Sequence, residues 1–295
     1  MKKPLLFLLI FTTIISFGQS NYFITSTDST KLFIREFGNG KPLIFLAGGP
    51  GLNADYLEPV WKNLSAKYRC IVLDQRGTGK SILSSIDSAT INMDKYLNDL
   101  EALRTYLKLD RLTLLGHSWG GMLSMHYAAM HPRQTEKLVL LSSGGPTRKF
   151  FGYFGDNINM RLHDEDQREV AVLDSLKRST LKAIWPGYFY DRKRALATKP
   201  GEDVQLSGQP GVNRNAVRSF VSTEKDRVTL LKKYEGMVFL IQGRQDPIGE
   251  STAYEIKSVL PQTDIHFIEK CGHFPWLENE SQVKEFYEQL YKILQ

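Results

Sequence analysis

The sequence predicts an α/β protein: a mostly parallel sheet covered by helices on both faces, with an antiparallel hairpin at its N-terminal end and a helical insertion. Three observations predict it. Short apolar runs without polar alternation recur at residues 43–47, 70–73, 112–115, 138–141, 238–241 and 265–268. Runs of that length suit strands buried on both faces, as parallel strands are. Helical apolar stripes fall between the runs, and one long stretch, residues 148–235, contains no such run. Repeated strand and helix in that order means a parallel sheet wrapped by helices.

The elements follow in order. Lys2 and Lys3 precede an apolar run over residues 5–17, and small residues at Ser16 and Gly18 stand just before Gln19. The run is shorter than the roughly 20 residues a membrane-spanning helix needs. Residues 1–18 are therefore expected to be a secretory signal peptide cleaved after Gly18, placing the protein in the periplasm or outside the cell. Tyr22-Phe23-Ile24 and Lys31-Leu32-Phe33-Ile34 flank a polar Asp28-Ser29-Thr30 turn and read as a hairpin. Met93, Tyr96, Leu97, Leu100, Leu103 and Leu107 recur at spacings of three and four, which gives one apolar stripe on a helix. A second helix is expected over residues 119–130, stopping before Pro132, since the residue preceding proline disfavours helix. Further helices are expected over residues 251–259 and 282–294. Residues 148–235, rich in charge and carrying the aromatic cluster 185–190, read as a helical lid between the fourth and fifth parallel strands. The core then comprises residues 19–147 and 236–295.

Composition narrows the partners. Without Lys2 and Lys3, 36 of the 38 Lys and Arg remain against 32 Asp and Glu, a net charge of +4. That excess is spread along the chain and forms no basic block, so no nucleic-acid partner is expected. Cys70 and Cys271 are placed on separate strands and are expected to be free thiols, and no pair of histidines has convincing metal-ligand spacing.

Gly116-His117-Ser118-Trp119-Gly120 matches G-x-S-x-G between a predicted strand and a predicted helix. That is the setting of a nucleophile elbow, a tight turn that holds the serine hydroxyl above the sheet edge. A serine needs a base to take its proton, and the base needs an orienting acid. Asp246 follows the strand at 238–241, and His273 follows the strand at 265–268, so both belong to C-terminal strand ends, where open α/β sheets bind ligands. Ser118, Asp246 and His273 are the expected catalytic residues, in the chain order this elbow implies. The backbone N–H groups of Trp119 and Gly49 are the expected oxyanion donors, Gly49 from the Gly-rich loop after the first parallel strand. His117 is expected to pack or hydrogen-bond beside the elbow.

Ala47-Gly48-Gly49-Pro50-Gly51 resembles the HGGPG loop of the proline iminopeptidase branch of the α/β-hydrolases, with Ala47 where that motif has His. Asp74-Gln75-Arg76-Gly77-Thr78-Gly79-Lys80-Ser81 resembles its DQRG-x-G-x-S segment, and residues 116–121 resemble its GHSWGG elbow. The resemblance implies the α/β-hydrolase fold, no cofactor, and release of an N-terminal residue, proline preferred, from short peptides. It also implies lid carboxylates that receive the substrate's free amine, for which Glu165, Glu169, Glu202 and Glu224 are available. Pro247 directly follows Asp246, so no acidic neighbour stands there. Glu224, Trp185 and Tyr188 are the expected substrate-binding residues, with packing of the lid as the alternative role of the two aromatics. The alternative is a carboxylesterase or lactonase using the same three residues on small uncharged esters, and a non-catalytic binding protein on the same scaffold is a third reading.

Overall fold

A computed structural model describes residues 19–201 and 204–295; the expected signal segment and Glu202 lie outside the described residues. Its centre is an eight-stranded sheet of β1 (Gln19–Thr25), β2 (Lys31–Phe37), β3 (Lys41–Leu46), β4 (Tyr68–Leu73), β5 (Leu112–His117), β6 (Thr135–Leu141), β7 (Met237–Gly243) and β8 (Asp264–Ile268). The spatial order is β1-β2-β4-β3-β5-β6-β7-β8. The expected hairpin is β1 with β2, and β2 pairs antiparallel with β4, whereas every pair from β4 through β8 is parallel.

The apolar runs have a simple cause. Successive side chains on a strand point to opposite faces, and here each face has its own core. Ile44, Leu46, Leu114, Leu138 and Leu140 join one core, on the side of α2 (Met93–Tyr106) and α3 (Trp119–Met130). Phe45, Val72, Leu115, Val139 and Leu141 join the other, with α1 (Glu58–Leu64) and α10 (Glu280–Leu294). The helix α1 has no counterpart among the sequence expectations: at seven residues, with Pro59 in its first turn, it is too short to display a period.

Between β6 and β7 the chain forms α4 (Phe154–Asn159), α5 (Asp164–Ser175), α6 (Arg192–Thr198), α7 (Val212–Ser222) and α8 (Glu224–Leu231). Backbone hydrogen bonds stitch this insertion to the loops above the sheet: Asn53 N–H to the Leu206 carbonyl at 2.8 Å, and Gly208 N–H to the Gly51 carbonyl at 2.7 Å. Two other stretches are helical as expected, α9 (Glu250–Val259) and α10. Both cysteines are free and buried, and burial pushes the Cys70 thiol up to about 12. Cys271 lies in the loop after β8 and not on a strand, because that strand ends at Ile268.

The DQRG segment serves the scaffold. Arg76 is fully buried and forms a two-armed pair with Asp99 of α2, while Asp28 of the β1–β2 turn and the Thr90 carbonyl accept from its Nη1. A guanidinium taken out of water needs every donor matched, and this one joins the hairpin turn to α2. The Ser81 hydroxyl donates to the Asp74 carbonyl and accepts from Phe33 N–H, closing the same turn against β2.

Candidate active site

Ser118 sits between β5 and α3 at φ 52° and ψ −115°, a conformation that a side chain rarely adopts. The flanking glycines make room for it. A Cβ on Gly116 would stand 2.3 Å from the Gly120 carbonyl oxygen, and one on Gly120 would stand 2.0 Å from that of Leu46. Gly-x-Ser-x-Gly is therefore a packing requirement of the turn: strand and helix cross too closely for any side chain. The Ser118 N–H donates to the Leu141 carbonyl, which ties the turn to the end of β6.

The loops after β7 and β8 bring Asp246 and His273 together. Nδ1 of His273 lies 3.0 Å from both carboxylate oxygens of Asp246, and both residues are buried. The carboxylate also accepts the Ile248 N–H at 2.8 Å, which orients it toward the ring. A carboxylate can only accept, so Nδ1 carries the proton and Nε2 is the free base. The ring is held by Tyr188, Phe154, Phe274 and His117. Ser118 and His273 line one cavity. Among the described residues no hydrogen bond joins the Ser118 hydroxyl to His273, although both line the same cavity.

The N–H groups of Gly49 and Trp119 have no acceptor among the described residues, and both residues line the space at Ser118. Gly49 has φ 117°, which a side chain would not tolerate. Its neighbour Gly48 donates to the Tyr56 hydroxyl instead. Ala47 contributes through its backbone: its carbonyl accepts from Gln75 Nε2 at 2.8 Å, while Gln75 Oε1 accepts from the Trp119 indole at 3.1 Å. Gln75 thereby links the loop after β3 to the start of α3.

The space around Ser118 has two lobes. One, of about 320 Å³, runs past His273, Leu181 and the segment Ser207–Asn213. The other, of about 630 Å³, is walled by Met122, Phe150, Phe151, Phe154, Val217 and Val221, with Arg148 beside them. Tyr188 lines both lobes. The other two expected substrate-binding residues lie elsewhere. Trp185 is buried against Phe274, ring centroids 4.7 Å apart, and serves as packing beneath the histidine loop. Glu224 accepts the Arg148 N–H at 2.8 Å and lines neither lobe. Glu165 pairs with Arg192 and Glu169 with Lys199. Phe154 and Asn213, which carried no motif, both face the nucleophile; Asn213 also donates to the Pro50 carbonyl at 3.0 Å.

Three further histidines have partners of their own. Burial and the neighbouring His273 hold His117 well below its usual value. Burial, with Arg227 nearby, drives His126 down to about 3. His266 pairs with Glu285. Among the described residues no group of three or more His, Cys, Asp and Glu is placed to hold a metal ion, and no helix is long and apolar enough to cross a membrane.

Comparison with known proteins agrees with this fold. The alpha/beta hydrolase fold family matches over residues 41–280. The chain belongs to that family. Within the α/β-hydrolases it is proline iminopeptidase-like. A proline iminopeptidase of Xylella fastidiosa (strain 9a5c) is 36% identical over 157 residues, 52% of this chain and 50% of that protein. A putative proline iminopeptidase of Mycoplasma genitalium is 39% identical over 109 residues, 35% of this chain and 32% of that protein. The chain thus spans between a third and a half of these relatives' length. Among solved structures, a proline iminopeptidase-related protein from Thermus thermophilus superposes with a TM-score of 0.74 at 21% identity, covering 92% of this chain and 96% of that one. An esterase from Exiguobacterium antarcticum superposes with a TM-score of 0.67 at 20% identity, covering 93% and 99%. This α/β-hydrolase therefore shares its fold with a protein named as proline iminopeptidase-related and with one named as an esterase.

Proposed function

We propose that the protein is a serine hydrolase that takes an N-terminal residue, proline preferred, from short peptides through an acyl-enzyme on Ser118. The observation that carries this reading is the Asp246–His273 dyad lining a cavity with Ser118, beside an apolar lobe at the same serine. His273 Nε2 takes the Ser118 proton as the hydroxyl oxygen bonds to the scissile carbonyl carbon. The carbonyl oxygen becomes an oxyanion held by the Gly49 and Trp119 N–H groups. His273 then gives its proton to the departing amine as the C–N bond breaks. A water molecule, deprotonated by the same imidazole, releases the acyl group and restores the hydroxyl. No cofactor enters these steps.

A carboxylesterase or lactonase reading is favoured by one observation: the described residues lining both lobes include no carboxylate to receive an ammonium. Assays on the purified chain beginning at Gln19 separate the two. Proline p-nitroanilide is expected to be cleaved with kcat/KM at least tenfold above that for the p-nitroanilide of a non-proline residue. Fast cleavage of p-nitrophenyl butyrate with an inert proline anilide would replace the peptidase reading with the esterase one.

Export belongs to the same proposal and rests on Lys2, Lys3 and the apolar run before Gln19. In a bacterial host the full-length chain is expected to fractionate outside the cytoplasm with Gln19 as its first residue by N-terminal sequencing. A cytoplasmic product that retains residues 1–18 would rule export out.

A further inference from the structure

A hydrogen-bonded bridge runs around the nucleophile and takes no part in the proton transfers above. Its first link is the Gly48 N–H, which donates to the Tyr56 hydroxyl at 2.6 Å. The second joins that hydroxyl to Nδ1 of His117 at 2.8 Å, and the third joins Nε2 of His117 to the His273 carbonyl oxygen at 3.0 Å. Proton counting sets every direction. The His273 carbonyl oxygen can only accept, so Nε2 of His117 carries the ring hydrogen and donates it. In the neutral ring Nδ1 is then an acceptor, and the Tyr56 hydroxyl, which accepts from Gly48, donates its own hydrogen to Nδ1. Burial favours this neutral ring and also keeps the Tyr56 phenol protonated.

The three segments so joined are the oxyanion loop, the residue before the nucleophile, and the loop of the general base. Packing reinforces the links. Tyr56 lies edge-on to Phe274, with centroids 5.9 Å apart, and its carbonyl accepts the Trp276 indole N–H at 3.3 Å. A Cβ built on Gly48 would stand 3.0 Å from the Tyr56 hydroxyl, 3.1 Å from Ser118 Cβ and 3.2 Å from His117 Nδ1, so all three meet at one point. With its N–H committed to Tyr56, Gly48 leaves the next amide, that of Gly49, for the oxyanion.

We propose that Tyr56 and His117 are positioning residues, which hold the oxyanion loop and the His273 loop at a fixed spacing around Ser118. The assignment rests on the acyl-transfer reading of Ser118. Removing the bridge leaves the nucleophile, base and donors present but loosely placed, and small misplacements of reacting groups are costly.

Tyr56→Phe is expected to lower kcat by roughly 10- to 100-fold with KM changed less than about threefold. Labelling of Ser118 by a fluorophosphonate is expected to slow in parallel. His117→Gln, which can still donate to the His273 carbonyl, is expected to keep more activity than His117→Leu. Wild-type rates of both turnover and labelling in Tyr56→Phe would overturn the proposal. Nitrogen NMR of the wild-type enzyme tests it without any variant: His117 should be a neutral imidazole bearing its proton on Nε2. An Nδ1-protonated or charged His117 at neutral pH would overturn it. Failure of the wild type to be labelled or to cleave either substrate class would instead remove the serine hydrolase reading, and the NMR result would stand apart from that failure.

Discussion

Replacing Ser118 with alanine is expected to lower kcat by roughly 10⁴- to 10⁶-fold, the scale at which a triad serine fails when the rest of its site remains. The hydroxyl is the only reagent lost. The Asp246–His273 dyad, the two amides and both lobes stay in place, so substrate binding should survive, with a dissociation constant near the wild-type KM. Ser118→Gly gives the complementary reading of the backbone. At φ 52° and ψ −115° the serine stores strain of about 1–3 kcal/mol. Glycine is free of that strain but loses about 0.5–1 kcal/mol to chain entropy. The glycine variant should therefore be inactive and yet more stable than wild type by about 1 kcal/mol, read as a higher midpoint in thermal unfolding. Alanine keeps the Cβ and with it the strain, so it should show no such gain. Turnover within tenfold of wild type in Ser118→Ala would remove Ser118 from the mechanism.

Asp246→Asn should reduce kcat by about 10⁴-fold while leaving the fold intact. The native carboxylate accepts both the His273 Nδ1–H and the Ile248 N–H. An asparagine carbonyl oxygen can still accept from Ile248, but the amide NH2 then faces Nδ1. Nδ1 must become the acceptor, the ring proton moves to Nε2, and the atom that should take the serine proton already carries one. The loss should fall on kcat and on fluorophosphonate labelling together, since both need the serine deprotonated. A variant that labels at the wild-type rate would show that some other group orients His273.

Much of this architecture was legible before any coordinates. Residues 112–115 and 138–141 announced strands because two cores cover the sheet, so neither set of alternating side chains meets water. The strand order was not legible: β4 lies between β2 and β3 because of pairings between distant residues, which no local pattern records. The helix α1 was too short to show a period. At the site, Ser118, Asp246 and His273 stood out because each is a reactive type at the end of an apolar run. Glu224 and Trp185 show the limit of reasoning by residue type. A lid glutamate suits an ammonium equally well on paper whether it faces the cavity or binds the Arg148 amide, and here it does the second. A tryptophan can wall a pocket or fill a core, and this one stacks on Phe274.

Sequence alone determined the candidate residues and the order in which the chain presents them: a serine in a glycine-flanked turn, then an acid, then a histidine, each after a buried strand. Tertiary structure decided which groups meet. The Tyr56–His117 contact joins residues 61 positions apart, and the Asn213–Pro50 contact joins residues 163 apart. Chemistry at this serine depends on hydrogen-bond lengths near 3 Å and on exclusion of water. Both are set by how remote segments pack, and residue identity along the chain does not encode that distance.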